Sequence, residues 1–203
     1  MAYSVAEREE IVVALGTVQF RRRVAPIVVL ALFAVVFGCG GSDSSNGGMT
    51  PTTCVTFVTA GEPTTFTAVS GSAACSAVEV EVRLNDVQDV YGGGFDITFD
   101  PAIVGYEGLD ASNSHLAEGG NAVTFLDGGP IPPGTGTVTI GFTRTGPVDG
   151  VDFDASQVLC TLTFKKIAGS GSSGLTLSQL TLKDSNGGDF VNVTASGGTF
   201  TVQ

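Results

Sequence analysis

Carboxylates, one histidine and four cysteines are the groups in this 203-residue chain that could do chemistry. The histidine, His115, lies in a polar segment with no nucleophile nearby in sequence. Asp96 and Asp100 belong to an alternating apolar run, and nothing in the sequence pairs them with His115 as a general acid and base would require. Asp100 stands before Pro101, where it reads as a strand-ending turn residue. These residues predict a non-catalytic protein. Oxygen donors gather in two loops, Asp149-Gly150-Val151-Asp152-Phe153-Asp154 and Asp184-Ser185-Asn186-Gly187-Gly188-Asp189. Calcium takes such ligands, but neither loop carries the glycine and glutamate spacing of an EF-hand. Turn formation accounts for the same residues, so Asp149, Asp152, Asp154, Asp184, Asn186 and Asp189 are weak calcium candidates and no other cofactor is implied. A transition-metal site would need more than one histidine or a close cysteine pair, and the sequence has neither. Tyr91 and Tyr106 are the candidate sugar-stacking platforms, since there is no tryptophan and the ten phenylalanines after residue 38 fall mostly at inward positions.

The first forty residues read as an address. Arg21-Arg22-Arg23 precede an apolar stretch from Val24 to Phe37 that ends at Gly38-Cys39. A basic cluster, a short apolar core and small residues make a secretory signal peptide over 1–38, and the core is shorter than the ~17–25 residues that span a bilayer. Val36-Phe37-Gly38-Cys39 resembles a bacterial lipobox, which implies cleavage before Cys39 and a lipid on its thiol. The alternative is an ordinary cleavage near Gly40 or Gly41. Glu7, Glu9 and Glu10 make an acidic lead for a signal peptide, so the translation start is expected downstream of them. Residues 39–50 are a Gly/Ser tether, too polar to pack. With Gly40 rather than aspartate after Cys39, the expected location is the outer membrane or cell surface.

The folded domain is expected over 51–203. Nine basic residues against 20 acidic ones give a net charge of −11, which excludes a nucleic-acid partner. After residue 38 the balance is five basic to 17 acidic, so the exported part is still more acidic. An exported chain meets an oxidising compartment. Cys54 and Cys75 lie in neighbouring irregular segments and are expected to form a disulfide. Cys160, on the apolar side of a strand with Leu162 and Phe164, is expected to be a buried free thiol.

Alternation defines the elements that carry these groups. Val78, Val80, Val82 and Leu84 alternate with charged residues, and Phe95, Ile97 and Phe99 alternate with Asp96 and Thr98, each a half-buried strand pattern. Further strands are expected at 103–108, 122–126, 137–144, 158–165, 175–183, 189–195 and 199–202, with one short strand within 54–66. Turn chemistry separates them, as in Asp127-Gly128-Gly129-Pro130 and Ser196-Gly197-Gly198. Residues 110–121 read as a loop or one short helical turn. The result is an all-β chain of about nine strands in a two-sheet sandwich.

Val90-Tyr91-Gly92 leading into Gly94-Phe95-Asp96-Ile97-Thr98-Phe99-Asp100-Pro101, followed by Gly136–Arg144, Leu159–Lys165, Leu180–Gly187 and Gly197–Val202, resembles the cohesin domain over about residues 76–203. The resemblance implies a nine-stranded flattened jelly roll, related in fold to bacterial carbohydrate-binding modules. It also implies a dockerin as protein partner, calcium carried by that dockerin, and a link to polysaccharide degradation. The implied partner-binding face includes Asp96, Thr98, Thr124, Leu126, Thr137, Thr139, Thr143 and Arg144, with Gly92, Gly94 and Gly141 contributing no side chain. Carbohydrate binding and a purely structural surface role are the competing expectations.

Overall fold

The computed structural model describes residues 53–203 apart from 131 and 133. The expected signal peptide 1–38, Cys39 and the tether 39–50 lie outside the described residues. The strands in chain order are β1 (Val55–Thr59), β2 (Phe66–Ala74), β3 (Ala77–Leu84), β4 (Val87–Val90), β5 (Gly92–Thr98), β6 (Val104–Asp110), β7 (Val123–Pro130), β8 (Thr137–Arg144), β9 (Val151–Phe153), β10 (Gln157–Lys166), β11 (Gly171–Lys183), β12 (Ala195–Ser196) and β13 (Gly198–Val202). A 3-10 turn covers His115–Gly120, where a loop or helical turn was expected.

Six strands form one sheet in the order β1-β13-β11-β5-β8-β7, and five form a second in the order β12-β2-β3-β10-β6. β4 and β9 make a separate two-stranded ribbon. The apolar faces of the two large sheets meet through aromatic side chains. Phe66 of β2 packs on Phe95 of β5 with ring centres 5.5 Å apart, and Phe164 of β10 lies 4.8 Å from Phe200 of β13. Burial follows the period of two on β3, where every second residue from Val78 to Leu84 is buried. Cys160 is fully buried and free, and burial pushes its thiol well above the ordinary cysteine range, with the Asp127 carboxylate adding to it. A disulfide joins Cys54 to Cys75, pinning the segment before β1 to the β2–β3 turn.

Two strand expectations need correction. Of residues 189–195 only Ala195 enters a strand, β12: a single bridge joins Asp189 to Lys183, Asn192 turns to φ +60°, and Val191 is 82% exposed. The apolar residues there touch the core at Phe190 and Val193, three positions apart, which no strand could do with both on one face. β2, by contrast, runs through Phe66–Ala74, where the sequence indicates a strand only within 54–66 and an irregular segment around Cys75. Its Ser, Ala and Gly residues show no alternation of large apolar groups, yet they pair with β3 from Phe66 to Ala74.

Candidate partner-binding face

The six-stranded sheet turns its second face outward, and β5, β8 and β7 carry most of the residues expected there. Register fixes which side chains adjoin. Thr98 stands opposite Thr137, Asp96 opposite Thr139, Gly94 opposite Gly141 and Gly92 opposite Thr143. On the far side of β8, Thr143 faces Thr124 and Gly141 faces Leu126. Thr139 donates its hydroxyl to the Asp96 carboxylate at 2.6 Å, so this acid is tied down within the sheet surface. Leu126, 70% exposed, is the large apolar side chain that the face offers.

Arg144 does not belong to this face. The strand alternates, so Arg144 points inward with Phe142 and is 4% exposed. Its guanidinium donates to the carbonyls of Leu116, at 2.8 Å, and Glu118, at 3.4 Å, in the 3-10 turn. β11 adds residues that the sequence reading left out. Thr176 lies opposite Thr98 and Ser178 opposite Asp96, while Leu175 and Leu177 face the core. The alternation of leucine with threonine and serine along this strand was the signal that would have found them.

The bare centre of the face has a packing cause. A Cβ on Gly93, whose side of the strand faces the core, would meet the carbonyl oxygen of Thr181 at 2.2 Å. On the outward side, Cβ atoms at Gly92 and Gly94 would lie 2.9 Å from the carbonyls of Phe142 and Ile140. β5 is thus wedged between β11 and β8 at a distance that glycine allows and larger residues do not.

The other candidate groups are dispersed. Asp100 accepts the Ala102 N–H at 2.9 Å, the turn role expected of it. His115 packs edge-on against Phe153, lies 3.1 Å from Glu118, and approaches Gln157 and the carbonyl of Asp152, so it meets neither Asp96 nor Asp100. The 184–189 loop is closed by its own hydrogen bonds, and the 149–154 loop is held by Asp89 of β4. Asp184 accepts the N–H groups of Asn186 and Gly188, and Asp189 holds Lys183 at 2.6 Å. Asp152 accepts the Asp89 N–H at 2.8 Å, while Asp149 and Asp154 are exposed at other points of the first loop. Among the described residues no group of three or more acidic, histidine or cysteine side chains is placed to hold a metal ion.

Asp89, which sequence reasoning overlooked, links the two loops instead. Its carboxylate accepts the Ser185 hydroxyl at 2.9 Å together with the Ser185 and Gly150 N–H groups. The Ser185 hydroxyl above all, opposed in part by burial, holds this carboxyl below the usual carboxylate range. The two tyrosines are half-buried rather than set out as platforms. Tyr91 donates to the carbonyl of Gly146 at 2.7 Å, and Tyr106 donates to Asp127 at 2.6 Å while its ring packs on Phe164. Burial, and then the Asp127 carboxylate, raise the Tyr106 phenol so that it stays a neutral donor.

Compared with known families, residues 64–202 match the model of the cohesin domain. The chain belongs to the cohesin family. No curated protein matches it significantly. Solved cohesins resemble it in structure. A type II cohesin domain from the cellulosome of Acetivibrio cellulolyticus is 11% identical, with a TM-score of 0.49 over 73% of this chain and 95% of that one. The non-cellulosomal cohesin of the archaeon Archaeoglobus fulgidus is 16% identical, with a TM-score of 0.48 over 66% of this chain and 88% of that one. The sixth cohesin of Acetivibrio cellulolyticus scaffoldin B, solved in complex with a dockerin, is 20% identical, with a TM-score of 0.46 over 61% of this chain and 86% of that one. In this cohesin the outward face of β11, β5, β8 and β7 is built of threonine, serine and glycine around Asp96, with Lys183 opposite Gly92 and Leu126 at one edge.

Proposed function

We propose that this cohesin is a non-catalytic docking module whose outward six-stranded face receives a dockerin borne by another exported protein, with calcium carried by the partner. The observation that carries the reading is the face itself. Short hydroxyl side chains and glycines leave its β5–β8 centre low and open, and Leu126 on β7 gives that centre an apolar anchor at 70% exposure. Family membership supports a protein partner, and one of the solved cohesins is in complex with a dockerin. The half-buried state of Tyr91 and Tyr106 weighs against carbohydrate as the ligand.

The lipobox-like Val36-Phe37-Gly38-Cys39 and the Gly/Ser run after it support attachment to the outer membrane through a lipid on Cys39, the tether holding the module off the surface. Such a module would bring a polysaccharide-degrading partner to the cell envelope. Affinity capture tests the reading: the immobilised full chain is offered secreted and envelope proteins of its source organism in calcium or in chelator. A dockerin-bearing protein retained in calcium and released by chelator is the expected result. Retention of no dockerin-bearing protein would contradict it.

A further inference from the structure

The chain enters the sandwich beside a small apolar hollow. The Cys54–Cys75 disulfide joins the start of β1 to the turn between β2 and β3, and Lys166 Nζ donates to the carbonyl and the hydroxyl oxygen of Thr53 at 2.8 and 2.6 Å. The last residue is held at the same end, where Cys54 and Gln203 exchange backbone hydrogen bonds. Whatever precedes Thr53 therefore starts from a fixed point against the β2–β3 hairpin.

That hairpin carries a concavity of about 210 Å³, lined by Ala73, Ala74 and Ala77 with the buried Val78 behind them. Its polar side chains serve each other, since Ser72 donates its hydroxyl to Glu79 at 2.5 Å. What stays open is a set of methyl groups, with Ala73 and Ala74 exposed and Ala77 half-buried. β3 alternates, so Ala77 and Glu79 stand on the outer side of the five-stranded sheet. The two sheets meet through their inner faces, and this side is thus the one opposite the threonine face.

Residues 40–53 contain one large apolar side chain, Met49, the exception in a tether otherwise too polar to pack. It stands four residues before Thr53, within a reach of ~14 Å of chain. Pro51 favours extended backbone at Thr50, which lengthens the span that those residues cover. An unbranched methionine suits a shallow and irregular apolar gap.

We propose that residues 48–52 fold back along the β2–β3 hairpin and seat the Met49 side chain on Ala73, Ala74 and Ala77. The disulfide ties the start of β1 to the hairpin itself, so the contact closes within one chain and orders only a few residues. The free tether then begins before Met49 and leaves from the five-stranded sheet. With the docking reading above, on which this last consequence alone rests, the latch turns the threonine face away from the tether.

Peroxide oxidation of the full chain, followed by mass spectrometry of the peptide that holds Met49, tests the latch. Met49 is expected to form sulfoxide at least threefold more slowly in buffer than in concentrated urea. Ala73→Asp, at an exposed position, should bring the rate in buffer to within about twofold of the rate in urea, with circular dichroism showing that the variant is folded. In the parent with methyl-labelled methionine, the Met49 methyl should show Overhauser contacts to the methyls of Ala73 and Ala77 within one chain. Equal rates in buffer and urea, protection that survives Ala73→Asp, or contacts that arise only between differently labelled chains would each overturn the latch. Thr139→Arg, which disables the docking face, leaves Met49 protected, so failure of one reading is distinguishable from failure of the other.

Discussion

Single side chains here do their work through what surrounds them. Cys160 is a thiol in the core between Val82 and Leu162, and burial raises its pKa, so native thiolate is scarce. Iodoacetamide at pH 8.5 is expected to label it at least a hundredfold faster in urea than in buffer, followed by mass spectrometry of the peptide. Asp89 shows the opposite shift. Its folded carboxyl is held low by Ser185, so the unfolded chain takes up a proton at higher pH than the native one. Its contribution to stability is therefore present above the ordinary aspartate range and lost as pH falls through the lower native value. Asp89→Asn is expected to flatten the decline in urea-unfolding stability between about pH 4 and pH 2. Arg144 shows how a residue type can mislead. A terminal arginine beside a threonine face suggests an interface anchor, but the two-residue period of β8 assigns it to the interior, where two carbonyls of the 3-10 turn receive it. The threonines of β8 were legible from that same period.

Among the elements, strands with clean alternation could be read almost to the residue. β8 spans Thr137–Arg144 as the sequence indicates, and β3 runs Ala77–Leu84. β2 could not be read, because its place in the sheet comes from pairing with β3 and not from its own small residues. The 189–195 segment shows the reverse: a strand-like pattern whose backbone turns at Asn192 before it can pair. The Gly92-Gly93-Gly94 run carries a structural demand that composition alone leaves unexplained. With the Thr181 carbonyl 2.2 Å from the site of a Gly93 Cβ, Gly93→Ala must push β5 and β11 apart. The expected cost is about 2–3 kcal/mol by chemical denaturation. Gly129, with open space around it but φ +60°, should respond to alanine through backbone strain alone, by about 1 kcal/mol.

At the scale of the molecule, the two-sheet architecture follows from period-two patterning and turn chemistry, and the order of segments around Gly94–Pro101 carries the family. The sequence showed less of the surfaces. Outward threonines read equally well as solvated strand or as an interface, and the contact of Asp89 with both the Gly150 and Ser185 turns joins segments whose proximity no local pattern reveals. The docking surface we propose is the threonine face of the six-stranded sheet. Calorimetric titration of a dockerin-bearing partner from the source organism tests it most directly, with the full chain compared against Thr139→Arg and against Lys165→Ala on the opposite sheet. At least hundredfold weaker binding is expected for Thr139→Arg, with unfolding stability within about 0.5 kcal/mol of the parent, and binding within twofold for Lys165→Ala. Equal affinity of the parent and Thr139→Arg, or no binding by the parent, would contradict it.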